Sequence, residues 1–255
     1  MNKIDKKFVE LKKNNRAAFM PFVVAGDPTY KKSLDILCKV AKYADLLEIG
    51  FPYTDPLADG KIIQDAHIRA LSGGMNTKKA FGLIKRFSKI RSTPITIMTY
   101  ANLVYNFGIE LFYKTAKLSG VDGILIPDLP IEEAVDYINL AKKYGLNQIF
   151  LVSQNTSISR RKKILKICSG YVYLVSILGI TGKKSHLNSS IIKYITRIKK
   201  ETNLPLVVGF GISTKNQVKQ ISKAGVDGFV VGSAIVEKLS ENLRNGIKFI
   251  KKLAK

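Results

Sequence analysis

The sequence predicts an α/β fold, a single (β/α)8 TIM barrel over residues 1–255 with an extra N-terminal helix. Three observations predict it. Eight short apolar runs recur along the chain, each followed by a stretch of helical periodicity. The alternation fills 255 residues without linker, low-complexity tract or compositional break, which is the size and grammar of an eightfold barrel. The turn after the first strand reads Ala25-Gly-Asp-Pro28, not the G-x-G-x-x-G that an open doubly wound sheet would place there.

Each element has its own signal. Residues 2–13 form an amphipathic helix with Ile4, Phe8 and Leu11 on one stripe. Residues 17–25 are strand one, stopped by Gly26-Asp-Pro28, and 31–43 are helical, with Leu34, Leu37, Cys38 and Ala41 spaced by three and four. Residues 45–51 make a short apolar run with one acid at its centre, the pattern of a buried parallel strand. Helices over 62–71 and 77–90 are split by Ser72-Gly-Gly74. Strand three (94–100) precedes a helix over 109–118. Strand four (123–128) precedes one over 131–144, with Ile131, Val135, Ile138 and Ala141 on one face. Strands five (148–153), six (171–176) and seven (204–209) precede helices over 159–168, 189–201 and 214–223. Strand eight (228–232) leads into a short helix over 234–239 and a last one over 240–252.

Composition narrows the function classes. With 46% hydrophobic residues the chain can bury a full core, and no apolar run approaches the roughly 18 residues of a membrane span. The N-terminus has basic residues but no apolar stretch for a signal peptide. Cys38 and Cys168 lie far apart without C-x-x-C spacing and read as free thiols of a cytoplasmic protein. The net charge of +23 comes from lysines on nearly every helix rather than a stripe with interleaved aromatics. It reads as a solvated surface, with neither nucleic acid nor membrane as partner.

The chemistry centres on residues 45–60. On strand two Leu46, Glu48 and Gly50 share one side, so Glu48 is a carboxyl aimed into an interior. Such a group is either a structural acid bonded to backbone amides or an acid/base group with a shifted pKa. The loop that follows carries Asp55 and Asp59. Three late βα junctions are glycine-rich: Leu178-Gly-Ile-Thr-Gly182, Gly209-Phe-Gly-Ile-Ser213 and Val231-Gly-Ser-Ala234. Their backbone amides, with the helix beginning after Ser233, suit a phosphate ester. Tyr171, Tyr173 and Val175 share one face of strand six, so Tyr173 can stand beside the carboxylates. Phe22, Tyr100 and Phe210, at the ends of strands one, three and seven, offer an apolar wall for an aromatic ligand. His67 and His186 are the only histidines and neither has metal-ligand spacing, so no metal is expected.

These residues together resemble the tryptophan synthase alpha subunit family over essentially the whole chain. The most specific marker is Leu47-Glu-Ile-Gly-Phe-Pro-Tyr-Thr-Asp-Pro-Leu-Ala-Asp-Gly60. Pro21-Phe-Val-Val-Ala-Gly-Asp-Pro28, Met98-Thr-Tyr-Ala-Asn102, Pro127-Asp-Leu-Pro130 and Val231-Gly-Ser-Ala-Ile-Val236 support it, with the two glycine-rich junctions before the last. The resemblance implies retro-aldol cleavage of indole-3-glycerol phosphate to indole and glyceraldehyde 3-phosphate. Glu48 would be the acid/base group that protonates indole C3, Asp59 the acceptor from the indole N–H, and Tyr173 the phenol beside them. Gly182, Phe210, Gly211, Gly232 and Ser233 would hold the phosphate, and Thr181 would lie in the loop that closes near Asp59. The resemblance further implies no cofactor in this chain. Pyridoxal phosphate would reside in a beta subunit that receives indole within an alpha2-beta2 assembly.

Two positions depart from the family pattern: Ile177 stands where an Arg is expected and Lys61 where a Pro is expected. Two other roles share the same motifs, a stand-alone lyase that releases indole and a non-catalytic activator of the beta subunit. Intact Glu48 and Asp59 weigh against the second.

Overall fold

A computed structural model describes residues 1–175, 189–209 and 211–254, with backbone only at 189 and 190. Eight parallel strands close into a barrel in sequence order. They are β1 (Ala18–Val24), β2 (Leu47–Gly50), β3 (Ile95–Met98), β4 (Gly123–Leu125), β5 (Asn147–Ser153), β6 (Val172–Val175), β7 (Leu206–Gly209) and β8 (Gly228–Val231). β1 pairs with β8 to complete the ring. Twelve helices lie among the described residues: α1 (Lys3–Lys13), α2 (Tyr30–Val40), α3 (Lys61–Ser72), α4 (Thr77–Ile90), α5 (Ala101–Phe107), α6 (Ile109–Ser119), α7 (Val135–Tyr144), α8 (Ile158–Ile167), α9 (Ser189–Lys199), α10 (Lys215–Lys223), α11 (Ser233–Glu241) and α12 (Leu243–Leu253).

The predicted architecture holds, with three local corrections. α5 was not expected from the sequence: Val104 is its one buried side chain, so it has no apolar stripe to read. Residues 131–144 are not one helix. A 3₁₀ turn covers Ile131–Glu133 and α7 begins at Val135. Val135 is 62% exposed, while Tyr137 and Ala141 turn to the core. The last two helices meet at Asn242, whose side chain accepts from the Asn245 N–H and caps α12.

The N-terminal end of the barrel is tied by one device used four times. Asp45, just before β2, donates its N–H to the Phe19 carbonyl on β1 and accepts the Phe19 N–H on its carboxylate at 2.9 Å. Asp122 does the same to Ile95 across β4 and β3, and Asp227 to Leu206 across β8 and β7. Before β6 the role falls to Ser169, whose hydroxyl accepts from the Gln148 N–H at 2.8 Å. Each even strand thus closes a two-bond ring with the odd strand before it, pairing an N–H that the ladder leaves over. α1 plugs this end, burying Ile4, Phe8 and Leu11, with Phe8 against Tyr171.

Alternation along the strands then decides what faces the other end. Phe22, Glu48, Met98, Leu125, Leu151, Tyr173, Gly209 and Val230 occupy the interior set, and all of them line one cavity at the C-terminal strand ends.

Candidate active site

β2 places Glu48 at the register of Phe22 on β1 and Thr96 on β3. The side chain is 1% exposed and, among the described residues, neither carboxylate oxygen has a hydrogen-bond partner. No described backbone amide satisfies it, which weighs against the reading of Glu48 as a structural acid. Burial, and next the charge of Asp59, push its pKa up from 4.5 to about 8. The Tyr173 phenol sits beside the carboxyl and favours its charged form, without meeting the geometry of a formed hydrogen bond. At neutral pH Glu48 is thus predominantly a neutral acid with a proton to give.

Tyr173 lies at the register of Leu151 and Val207. Burial, then the charge of Glu48, hold its phenol well above the ordinary range, so it remains a donor. Its phenol end packs against Gly209, where a Cβ would come within 2.6 Å of Cε1. Any larger residue on β7 at this point would drive the phenol off Glu48.

Asp59 comes from the loop between β2 and α3, directly before Gly60, which opens the helix. Its side chain is 5% exposed. The Tyr100 hydroxyl donates to Oδ2 at 2.8 Å, and His67 Nε2 lies 3.2 Å from the same oxygen. Gln64 ties down the loop by donating its side-chain amide to the Asp59 carbonyl at 2.8 Å. Asp59 lines the same cavity as Glu48, whereas Asp55 of that loop is exposed and paired with the Thr54 hydroxyl. Lys61, the residue departing from the family pattern, is the first residue of α3, and its side chain runs into solvent beside Asp65. That first position leaves its N–H unpaired in any helix, which is why proline is favoured but not required there.

The cavity encloses about 240 Å³. Gly211, Gly232 and Ser233 line the same cavity as the two acids. Gly211 has φ +62°, a conformation that glycine adopts without strain. Gly232 precedes α11, and the N–H groups of Ser233 and Ala234 have no described acceptor, whereas Ile235 and Val236 bond back to the Gly232 carbonyl. A helix N-terminus with free amides facing a cavity attracts anions. Thr181, Gly182 and Phe210, together with Ile177, lie outside the described residues.

Phe22 lines the cavity as expected. Tyr100 does not: its ring stacks on Tyr53 at 4.8 Å and its hydroxyl serves Asp59 from behind. Burial and the Asp59 charge hold that phenol far above its ordinary range, so it acts as a donor, not as an apolar wall. His67, which the sequence offers only as an unpartnered candidate metal ligand, is the second side chain on Asp59. Its signal was helical spacing: Ile63 lines the cavity, and His67 is one turn further along the same face of α3. Among the described residues no cluster of acids, histidines and cysteines could hold a metal ion. A larger depression of about 580 Å³, lined by Tyr30, Lys79, Lys85, Arg86 and Lys89, sits on the outer helices and contains no acid/base pair.

Comparison with known proteins agrees with this geometry. The family model described as tryptophan synthase alpha chain matches residues 8–255. The tryptophan synthase alpha chain of Methanothermobacter thermautotrophicus is 48% identical over 227 residues, covering 89% of this chain and 84% of that relative. The one of Methanocaldococcus jannaschii is 46% identical over 245 residues, covering 94% and 86%. Among solved structures, tryptophan synthase subunit alpha from Legionella pneumophila has a TM-score of 0.92 at 32% identity, covering 100% of this chain and 97% of that one. A chain of the tryptophan synthase complex from Pyrococcus furiosus has a TM-score of 0.85 at 38% identity, covering 93% and 96%. With its barrel, its acid pair and its matched length in agreement, the chain belongs to the tryptophan synthase alpha chain family.

Proposed function

We propose that this lyase cleaves indole-3-glycerol phosphate to indole and glyceraldehyde 3-phosphate, with Glu48 and Asp59 as its catalytic groups. Neutral Glu48 delivers its proton to indole C3. Positive charge then develops on the ring nitrogen, whose N–H donates to the Asp59 carboxylate. Glu48, now ionised and still beside the substrate, takes the proton of the glycerol hydroxyl next to C3. The carbon–carbon bond breaks, its electron pair returns to the indole ring and cancels the charge, and the aldehyde leaves. Tyr173 orients the Glu48 carboxyl, Phe22 packs the indole, the backbone at Gly182, Phe210, Gly211, Gly232 and Ser233 holds the phosphate, and Thr181 belongs to the loop that closes over substrate near Asp59. The single observation that carries this reading is a fully buried carboxyl with no partner among the described residues, sharing one cavity with a second acid and a helix N-terminus.

The chemistry needs only proton transfers and so no cofactor in this chain; pyridoxal phosphate belongs to the beta subunit that consumes the indole. The proposed docking surface for that partner is the arc of loops after β2 to β5. It presents Leu57 at 94%, Tyr105 at 71%, Val135 at 62% and Ile158 at 61% exposure. Contacts between Tyr53 and Tyr100, Asp128 and Ala101, and Glu132 and Arg160 join these loops into one rim. Exposed apolar side chains gathered around an active-site mouth suit a permanent partner. No helix among the described residues is long and apolar enough to cross a membrane. Free thiols at Cys38 and Cys168 fit a cytoplasmic location.

The test is indole release from indole-3-glycerol phosphate, measured with and without a beta subunit. Slow release that the partner accelerates supports an alpha2-beta2 subunit. Fast release insensitive to the partner would make the chain a stand-alone lyase, and no release in either case would reduce it to an activator.

A further inference from the structure

Asp59 differs from Glu48 in how it is held. Glu48 is built into a strand, whereas Asp59 sits in a loop, where the backbone alone does not fix its carboxylate. Two side chains from regular elements reach that carboxylate. Tyr100, the residue capping α5, and His67, inside α3, both meet Oδ2, at 2.8 Å and 3.2 Å. Oδ1 has no partner among the described residues, and Asp59 faces the cavity. His67 itself is 2% exposed and does not line the cavity.

We propose that His67 is a positioning residue for the lyase reaction: with Tyr100 it clamps Oδ2 of Asp59 so that Oδ1 is presented to the substrate N–H. The ring chemistry specifies how. Its Nδ1 is buried without a partner among the described residues. A proton on Nε2 donates to the carboxylate and leaves a bare acceptor at Nδ1. A single proton on Nδ1 instead would bury an unpaired N–H and set two lone pairs against each other at 3.2 Å. His67 therefore carries its proton on Nε2. A carboxylate oxygen that already accepts two hydrogen bonds cannot rotate to exchange places with its twin without breaking both. The clamp thus orders the acceptor before substrate arrives, and its contribution appears in the chemical step rather than in phosphate affinity.

The inference rests on the lyase reading above, and its test separates the two. Turnover of the wild-type chain tests the reading. For the clamp, His67→Leu removes the donor, while His67→Gln restores an N–H close to the position of Nε2. Expected is a tenfold to hundredfold loss of kcat in His67→Leu, with KM and the affinity for glycerol 3-phosphate within about threefold of wild type, and recovery to within about fivefold in His67→Gln. In an Asp59→Asn background, His67→Leu should cost little more, because the clamped carboxylate is already gone. If His67→Leu does not fold, Tyr100→Phe removes the other donor from the same oxygen, and it should likewise lower kcat more than it raises KM. The tautomer is read without substrate from imidazole 15N shifts at alkaline pH, where the two histidines give two assignable signals. Nε2–H on His67 is expected, with its Nε2 signal shifting in Asp59→Ala as the acceptor is removed. An Nδ1–H tautomer in the wild type, equal losses in the Leu and Gln variants, or full additivity with Asp59→Asn would each overturn the proposal.

Discussion

At the residue scale, Glu48 combines two properties that usually exclude each other, complete burial and no hydrogen-bond partner among the described residues. Its pKa of about 8 follows from that combination, with burial the larger cause and Asp59 the smaller. On the proposed mechanism, in which the acid form of Glu48 protonates indole C3, kcat/KM, which reports the free enzyme, should fall as pH rises through about 8. Glu48→Gln should lower turnover at least about a hundredfold while keeping glycerol 3-phosphate binding. Isothermal titration beside the turnover assay checks both, and near-normal turnover would remove Glu48 from its role. The same shift has a stability consequence of opposite sense to that of a salt-bridged acid. Folded and unfolded chains are both protonated below 4.5, so Glu48 adds no pH dependence to stability there. Between 4.5 and about 8 only the unfolded chain ionises, and stability is lost as pH rises through that window. Thermal unfolding of wild type and Glu48→Gln between pH 5 and 9 should therefore show the variant gaining relative to wild type, with a limit of about 1.4 kcal/mol per pH unit. A difference independent of pH would contradict the shifted pKa.

At the element scale, the strands are joined at their N-terminal ends by the four two-bond rings through Asp45, Asp122, Ser169 and Asp227. Asp122 is 5% exposed and Ile95 is 1% exposed, so the N–H of Ile95 has no water to turn to. Asp122→Ala should cost about 1–3 kcal/mol in urea denaturation by leaving that donor orphaned. Asp122→Asn, which keeps an acceptor oxygen, should recover part of the loss. Turnover per folded molecule should be unchanged in both, since the rings lie at the end of the barrel opposite the cavity. This division of labour, with stability at one end and chemistry at the other, is general to the barrel architecture. The same scale explains why α5 was illegible and α4 was not. α4 buries Ala80, Phe81, Leu83, Ile84 and Phe87 along one face, whereas α5 has only Val104 to declare its orientation.

At the scale of the whole molecule, the mouth of the barrel brings together the cavity and the apolar rim of Leu57, Tyr105, Val135 and Ile158. Leu57 lies two residues before Asp59, so a partner seated on this rim touches the loop that carries this proposed catalytic group. Leu57→Glu, at a 94% exposed position, should shift folding stability by less than about 0.5 kcal/mol. It should nonetheless weaken association with a beta subunit and its stimulation of indole release. Analytical ultracentrifugation of the mixed chains checks the association; undiminished assembly would move the docking surface elsewhere. The net charge of +23 is distributed over many exposed side chains, and exposed ion pairs such as Lys39–Asp35 and Lys238–Glu241 contribute little each.

The sequence by itself determined the barrel, the interior direction of Glu48 and the loop position of Asp59. Each of these is encoded locally: strand parity is a period of two, and a loop is announced by its Pro and Gly residues. It also carried the run of residues that marks the family. Only the tertiary structure decided that Tyr100 turns its hydroxyl to Asp59 rather than its ring to the ligand, and that His67 joins it there. It likewise showed that Val135 faces solvent, and that Ser169 does for β6 what three aspartates do for the other even strands. Those outcomes depend on which side chains from distant elements arrive at one point in space. They are set by closure of the barrel, and no local period along the chain records them.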